Sequence, residues 1–556
     1  MIRHLFDRRS AKKDVTSGLT LAVESVPDGM AIGALAAINP ISGVYAYMVG
    51  TFSGAFFTSS VSLSIQATSA MALIVAGVPE VSAGQSGAQD ALLLLTLLTG
   101  AFMIAFGLLR LGGVLRFVPD SVMSSFTSAV GISIILGQLS NLTGYDAQGS
   151  NKPMQTIDLL GHLDKVDLQT LVTGLVAMFI VVAMNRTRLK TVGVLLAIFV
   201  ASALPQIFAW SNVAVVNDIA EIPSGLPLPI VPDVSSWPDL VPSMLGVSLA
   251  LAIVGLVQGA AVTHQFPNPD GSKSDPSGDF TGQGLANIPT GFLHGMPVGG
   301  SFSATAILVE GGARTRFANI VAGLGIALAL LLFSGAIGLL AMPALAGFLI
   351  VLGVGILDPR QLAATWRLGG IHRWGMVILI SVALFVSLQV SVFVGVGLSI
   401  LLYIVRESRD VTIKTAEYED GHIRSEVAVN PELVSESIVT LHSYGSLFYA
   451  SAQYFEQQLP HPTEQTRNTV VILNLRGQRD LDTTTVDMLI DYAEKLQTHD
   501  CRLMLAEVEP TARETLAKQD QDGLFGSDNV FAVSEQFDRS VLEAQAEAQR
   551  WVAARR

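Results

Sequence analysis

With a single cysteine, Cys501, this 556-residue chain cannot close a disulfide within itself or build a cysteine metal cluster. No H-x-x-x-H or Cys/His spacing supplies other metal ligands, and no metal is expected. Charge is scarce: 14% of residues are charged, against about a quarter in an ordinary soluble domain. The net charge of -13 is diffuse, with no basic run and no interleaving of basic and aromatic residues, which argues against nucleic acid as a partner. G-x-S-x-G, the P-loop pattern and a strand-to-helix G-x-G-x-x-G are also missing. ATP-driven pumping and membrane-bound hydrolysis therefore lack their machinery, and neither an enzyme nor a cofactor is expected.

What is abundant is apolar. Half of the residues are hydrophobic, 51 are glycine, and the mean hydropathy is +0.51. The apolar runs recur at lengths that cross a hydrocarbon core of roughly 30 Å as helices of about 20 residues. Fourteen membrane segments are predicted, near 15–37, 43–60, 62–77, 90–110, 117–139, 168–185, 192–210, 241–263, 284–297, 301–313, 318–340, 342–357, 374–388 and 391–406. The opening MIRHLFDRRSAKKD is basic and polar, unlike a cleavable signal peptide, so the N-terminal segment 1–13 is expected on the cytoplasmic side. That orientation puts Arg110, Arg116, Arg186, Arg188, Lys190, Lys273, Arg314, Arg316, Arg360, Arg367, Arg373, Arg406 and Arg409 in cytoplasmic turns. Only Lys152 and Lys165 fall outside, the asymmetry that the positive-inside rule requires.

After Arg409 the composition changes. Charged residues become frequent, and the strand-length runs IVTLHS, TVVILNL and RLMLAEV alternate with helix-like stretches such as TTTVDMLIDYAEKLQ. The division is therefore a membrane transport domain over 14–409 and a small cytoplasmic α/β domain over 410–556.

Inside the membrane region, SIQATSA from Ser64 returns 237 residues later as SFSATAI from Ser301, both written S-x-x-A-T. PDG at 27–29 precedes the first phrase and VQG at 257–259 the second, with the polar stretch QFPNPDGSKSDPSGDFTGQG reading as a loop. Two seven-helix halves, 14–212 and 240–409, then form an inverted repeat, which places substrate and ion sites at its interface near the midplane. Segments 62–77 and 301–313 are too short to span. As half-helices they bring two N-termini together, each with a partial positive charge and free N–H donors suited to an anion. The predicted substrate site consists of Asp28, Ser64, Gln66, Ala67, Thr68, Gln258, Ser301, Phe302, Ser303, Ala304 and Thr305. The competing reading is that these small residues only let helices pack closely.

Glu24 and Asp28 stand four apart on one face of the first helix, with Pro27 breaking its hydrogen-bond ladder. Two carboxylates at membrane depth repel each other, so at least one is expected to bind a proton or a cation; the alternatives are a capping role for Asp28 and a wet interfacial position for Glu24. Gln258, the counterpart of Asp28, does not titrate, which puts coupling on the first repeat.

These features resemble the sulfate permease (SulP) family of anion transporters, relatives of prestin and pendrin. The family's P-Q-G-M-A is written PDGMA at 27–31, its G-T-S-R-H-x-S approach survives loosely as TSSVSLS, and S-R-[ST] followed by G-G-K-T is written SAT at 303–305 and GART at 312–315. The tail resembles a STAS domain, with D-[ST]-[ST]-G as Asp482, Thr483, Thr484 and Thr485. The resemblance implies a 7+7 inverted repeat in which a core subdomain slides against a gate subdomain, elevator-like, in a homodimer within the bilayer. The chain departs from the family with Asp28 in place of Gln, Gln258 in place of an acid and Ala304 in place of Arg. Losing the fixed cation and gaining acids favours proton-coupled symport of an inorganic or small organic anion (sulfate, bicarbonate or a dicarboxylate) at the cell (inner) membrane. A sodium-coupled symporter, an anion exchanger, a nucleobase:proton symporter and a membrane-anchored STAS regulator are the alternatives.

Overall fold

The computed structural model describes residues 7–112, 120–185, 187, 190–219, 225–272, 274–419, 422–520, 523–526 and 528–555. Arg116, Arg186, Arg188 and Lys273, counted above among the cytoplasmic cations, lie outside the described residues. The chain divides into two compact units, Met1–Ser399 and Ile400–Arg556.

The first unit opens with α1 (Ala11–Leu35), α2 (Pro40–Phe57), a short strand β1 (Ser64–Gln66), α3 (Ser69–Val75) and α4 (Ala88–Leu108). There follow α5 (Asp120–Gly137), α6 (Leu139–Thr143), α7 (Lys152–Gly161), α8 (Leu168–Met184), α9 (Lys190–Ile207) and α10 (Val216–Ile219). The second half repeats the pattern with α11 (Trp237–Gln265), α12 (Pro276–Phe292), β2 (Gly299–Ser301), α13 (Phe302–Glu310) and α14 (Phe317–Gly338). It continues with α15 (Met342–Ile356), α16 (Pro359–Leu368), α17 (Gly370–Phe385) and α18 (Leu388–Arg409), the last running into the second unit.

Among the described residues six helices are long and apolar enough to cross a membrane by length and composition, and three shorter ones are apolar. At 1.5 Å per residue, α3 and α13 are only about 11 and 14 Å long, half a hydrocarbon core or less. The helices pack in two groups, α1–α4 with α11–α14 and α5–α9 with α15–α17. This is the core and gate division that the resemblance implies.

One boundary corrects the sequence reading. The polar stretch read as a loop contains the first half of α12, which starts at Pro276 behind an Asp275 cap whose Oδ1 accepts the Ser277 N–H at 3.1 Å. Its small residues are there for contact: a Cβ on Gly284 would lie 2.6 Å from the Gly100 carbonyl oxygen of α4. Low hydropathy here reflects close helix packing.

The second unit is a six-stranded sheet of β3 (Thr412–Glu419), β4 (His422–Ala428), β5 (Ile438–Tyr444), β6 (Val470–Asn474), β7 (Arg502–Val508) and β8 (Val530–Ala532), ordered β4-β3-β5-β6-β7-β8. The pairs from β5 to β8 are parallel, and the β3–β4 hairpin adds antiparallel strands. Around it lie α19 (Ala452–Glu456), α20 (Thr483–Gln497), α21 (Pro510–Gln519) and α22 (Arg539–Ala553). Strand alternation sends Val471 and Leu473 of β6 to the face packed by Leu489 and Leu496 of α20, and Val470 and Ile472 to the face packed by Val541 and Ala544 of α22. Asp482 caps α20 by accepting the Thr485 N–H at 2.8 Å; Thr483 and Thr484 are exposed and Thr485 is buried.

Candidate functional site

The two short strands pair with each other. Ser64 lies opposite Ser301, Ile65 opposite Gly300 and Gln66 opposite Gly299, antiparallel. Each strand feeds directly into a short helix, α3 or α13, and the helices leave the ribbon at opposite ends. Thr68 caps α3 by accepting the Met71 N–H at 3.4 Å, and Ser301 caps α13 by accepting the Ala304 N–H at 3.4 Å. The caps are 233 residues apart, whereas the S-x-x-A-T phrases are 237 apart, so the literal repeat runs four residues out of step with the structural one.

Beside the ribbon is a cavity of about 730 Å³. One side is built from Glu24, Ser25 and Asp28 of α1, Tyr47 of α2, the segment Gln66 to Ala70, Gln258 of α11 and Ser301 to Ala304. The opposite wall comes from the second helix group: Met123, Phe126 and Thr127 of α5, Val181 of α8, Asn185 after it, and Phe348, Val351 and Leu352 of α15. The lining among the described residues includes no Lys, Arg or His. Of the predicted residues, Glu24, Asp28, Gln66, Ala67, Thr68, Gln258, Ser301, Phe302, Ser303 and Ala304 share this lining. Ser64 and Thr305 do not. The Ser64 N–H donates to Thr305 Oγ1 at 3.0 Å, and that hydroxyl donates to the Ser301 carbonyl at 2.7 Å, so both residues serve the ribbon.

The polar groups of the lining are oriented. Thr68 Oγ1 donates to Gln258 Oε1 at 2.8 Å, which leaves Gln258 its N–H groups to offer the cavity. Gln66 Nε2 donates to Ser25 Oγ at 3.1 Å and to Thr51 Oγ1 at 3.2 Å. Tyr47 OH donates to Asp28 Oδ2 at 2.8 Å. Ser303 faces open space, whereas Ala304, 1% exposed, packs with Leu21 and Leu308. Two helix N-termini, hydroxyls and amide N–H groups can accept an anion here, and the two carboxyls beside them can hold protons or a cation.

The model of the sulfate permease family matches residues 11–382, and that of the STAS domain matches 432–539. The chain belongs to the sulfate permease family. It is similar to sulfate transporter 4.1, chloroplastic, of Arabidopsis thaliana, at 26% identity over 94% of this chain and 78% of that protein. It is likewise similar to the putative sulfate transporter YvdB of Bacillus subtilis, at 23% identity over 94% of this chain and 95% of that one. Among solved structures, murine solute carrier 26 family member A9 in its inward-facing state superposes with a TM-score of 0.80 at 18% identity, covering 98% of this chain and 92% of that one. The transmembrane domain of a cyanobacterial bicarbonate transporter, BicA, superposes with a TM-score of 0.61 at 22% identity, covering 71% and 99%. As a member of this family the chain is an anion transporter of the membrane, and its relatives are transporters rather than enzymes.

Several residues that build or brace the cavity have no signal in the sequence. Tyr47 reads as an ordinary aromatic in an apolar helix, and Ser25 and Thr51 read as packing residues. On α12, Gln283 Oε1 accepts the Gly300 N–H at 2.9 Å, and Asn287 brackets Val298 by accepting its N–H at 2.9 Å and donating to its carbonyl at 2.8 Å. The turn leading into β1 is clamped by Asp279 Oδ1, which accepts the N–H groups of Ser59 at 2.7 Å and Ser60 at 2.9 Å, while Arg316 Nη2 donates to the Ser59 carbonyl at 2.7 Å.

The ribbon lies so close to α11 that a Cβ on Gly300 would come within 2.4 Å of the Gly259 Cα. Gly300→Ala is expected to push β2 off α11 and lower stability by about 1–3 kcal/mol. Thermal unfolding of the purified protein would register this as a lowered midpoint; an unchanged midpoint would mean that the ribbon does not depend on this contact.

Proposed function

We propose that this chain is a secondary active transporter that carries a small inorganic or organic anion, such as sulfate, bicarbonate or a dicarboxylate, together with protons. The observation that carries the reading is the composition of the cavity lining: two helix N-termini, hydroxyls and amides, no Lys or Arg among the described residues, and the carboxyls of Glu24 and Asp28. N–H and O–H donors solvate an anion without a fixed cation. Protons on one or both carboxyls then supply the positive charge that travels with it.

The cavity lies between the two helix groups, so movement of α1–α4 and α11–α14 as a unit against α5–α9 and α15–α17 would carry the bound anion from one membrane face to the other. We assign the protein to the inner membrane as a homodimer, with residues 1–13 and the STAS tail cytoplasmic and 410–556 regulatory.

The test is initial uptake of radiolabelled sulfate, bicarbonate and succinate into proteoliposomes, with and without an acidic exterior. A severalfold gradient stimulation for one of the three is expected. Stimulation by a sodium gradient alone would replace the proton with sodium. Indifference to both gradients, with retained exchange, would make the protein an exchanger.

A further inference from the structure

The surface of α16 is unlike the helices on either side of it. Arg360, Trp366, Arg367 and Leu368 are exposed, while Thr365 is buried and Leu362 half-buried where the helix packs on α5 and α17. Trp374, at the start of α17, is 66% exposed. The Arg373 guanidinium lies over the Trp366 ring at 4.9 Å, and its Nε donates to the Trp366 carbonyl at 3.1 Å. From residue 359 to residue 406 the chain has no Asp or Glu, yet it has Arg360, Arg367, Arg373 and Arg406. The acid just before α16, Asp358, turns Oδ1 to the backbone N–H groups of Arg360 and Gln361, at 2.9 and 3.1 Å, as the helix cap. No ion pair forms at Arg360, Arg367 or Arg373 among the described residues.

We propose that α16 is a docking site for anionic phospholipids, in which Arg360, Arg367 and Arg373 take the headgroup phosphate and Trp366, Leu368 and Trp374 enter the acyl boundary. Guanidinium forks match phosphate oxygens, and indole rings favour the boundary between headgroup and acyl chain. The occupant is a lipid because the helices on either side also expose apolar side chains close to the patch in sequence, Val354 of α15 and Ile378 of α17. A soluble anion would leave Trp366, Leu368 and Trp374 uncovered. The consequence for transport is direct: two residues separate α16 from α15, whose Val351, Leu352, Gly355 and Ile356 line the cavity. A headgroup held on α16 steadies that wall.

The test is native mass spectrometry of the full-length protein in neutral detergent, titrated with phosphatidylglycerol or phosphatidylcholine. The wild type is expected to retain phosphatidylglycerol in preference to phosphatidylcholine and to lose it as salt rises. Each of Arg360→Gln and Arg367→Gln should weaken phosphatidylglycerol retention by about fivefold, while Arg367→Lys keeps most of it. Equal retention of both lipids by the wild type, or an unaltered preference in the Arg360→Gln/Arg367→Gln protein, would overturn the proposal. So would displacement of the lipid by millimolar inorganic phosphate, which would mark a soluble-anion site. The salt titration needs no variant, so a poorly folding mutant does not leave the question open, and the readout is independent of the transported anion.

Discussion

Ser303→Trp is expected to reduce anion uptake to background while the protein stays folded. Ser303 sits in the first turn of α13 with its side chain in open cavity, between the Ser301 cap and the wall made by α5 and α15. An indole there occupies the volume an anion needs and also blocks approach of the two helix groups. Its neighbour Ala304 is the poorer probe: it is 1% exposed and packed on Leu21 and Leu308, so a bulky residue at 304 would overpack the core and confuse occlusion with misfolding. Uptake in proteoliposomes, measured beside the thermal unfolding midpoint, separates the two effects. A Ser303→Trp protein that transports at the wild-type rate would remove the cavity from the pathway.

Glu24→Gln is expected to keep substrate binding and exchange but to abolish the response to a proton gradient. A dianion entering against 100 mV, negative inside, faces about 4.6 kcal/mol, more than a thousandfold in accumulation. Compensating positive charge must cross with it, and the cavity lining has no fixed cation among its described residues. Glutamine mimics the protonated acid permanently, so the cycle runs without taking up or releasing a proton at this position. Asp28, the second acid, accepts a hydrogen bond from Tyr47, which suits it to orienting the bound anion. Uptake with and without an imposed pH gradient decides between them: stimulation that survives in Glu24→Gln moves the carrier role to Asp28.

The membrane and α/β parts were legible because each leaves a local mark: helix-length apolar runs before residue 410, strand-length runs alternating with helical ones after it. The half-helices were legible from their shortness, and Gln66, Thr68, Ser301 and Ser303 from being polar where the surroundings are not. What escaped is tertiary. Tyr47 meets Asp28 across 19 residues of sequence, and only the packing of α1 on α2 brings them together. The start of α12 looked like a loop because a helix that crosses another at Gly100 and Gly284 must be small there, and small residues score as polar linkers. The S-x-x-A-T phrase drew attention to the right segments with the wrong register, since Ser64 and Thr305 act in the ribbon while the caps are Thr68 and Ser301.

The ribbon also sets a schedule for making the protein. Gln66 has its partner in Gly299, 233 residues further along the chain. At 5–20 residues per second a ribosome needs roughly 10–50 s to reach it. Through that interval β1 is already synthesised, its backbone N–H and C=O groups lacking their partners in surroundings where unpaired groups are penalised heavily. A chain released before residue 299 is left with that open edge, a target for quality-control proteases. The yield of intact protein is therefore expected to fall as translation of residues 67–298 slows, which codon changes confined to that stretch would test without touching a single side chain.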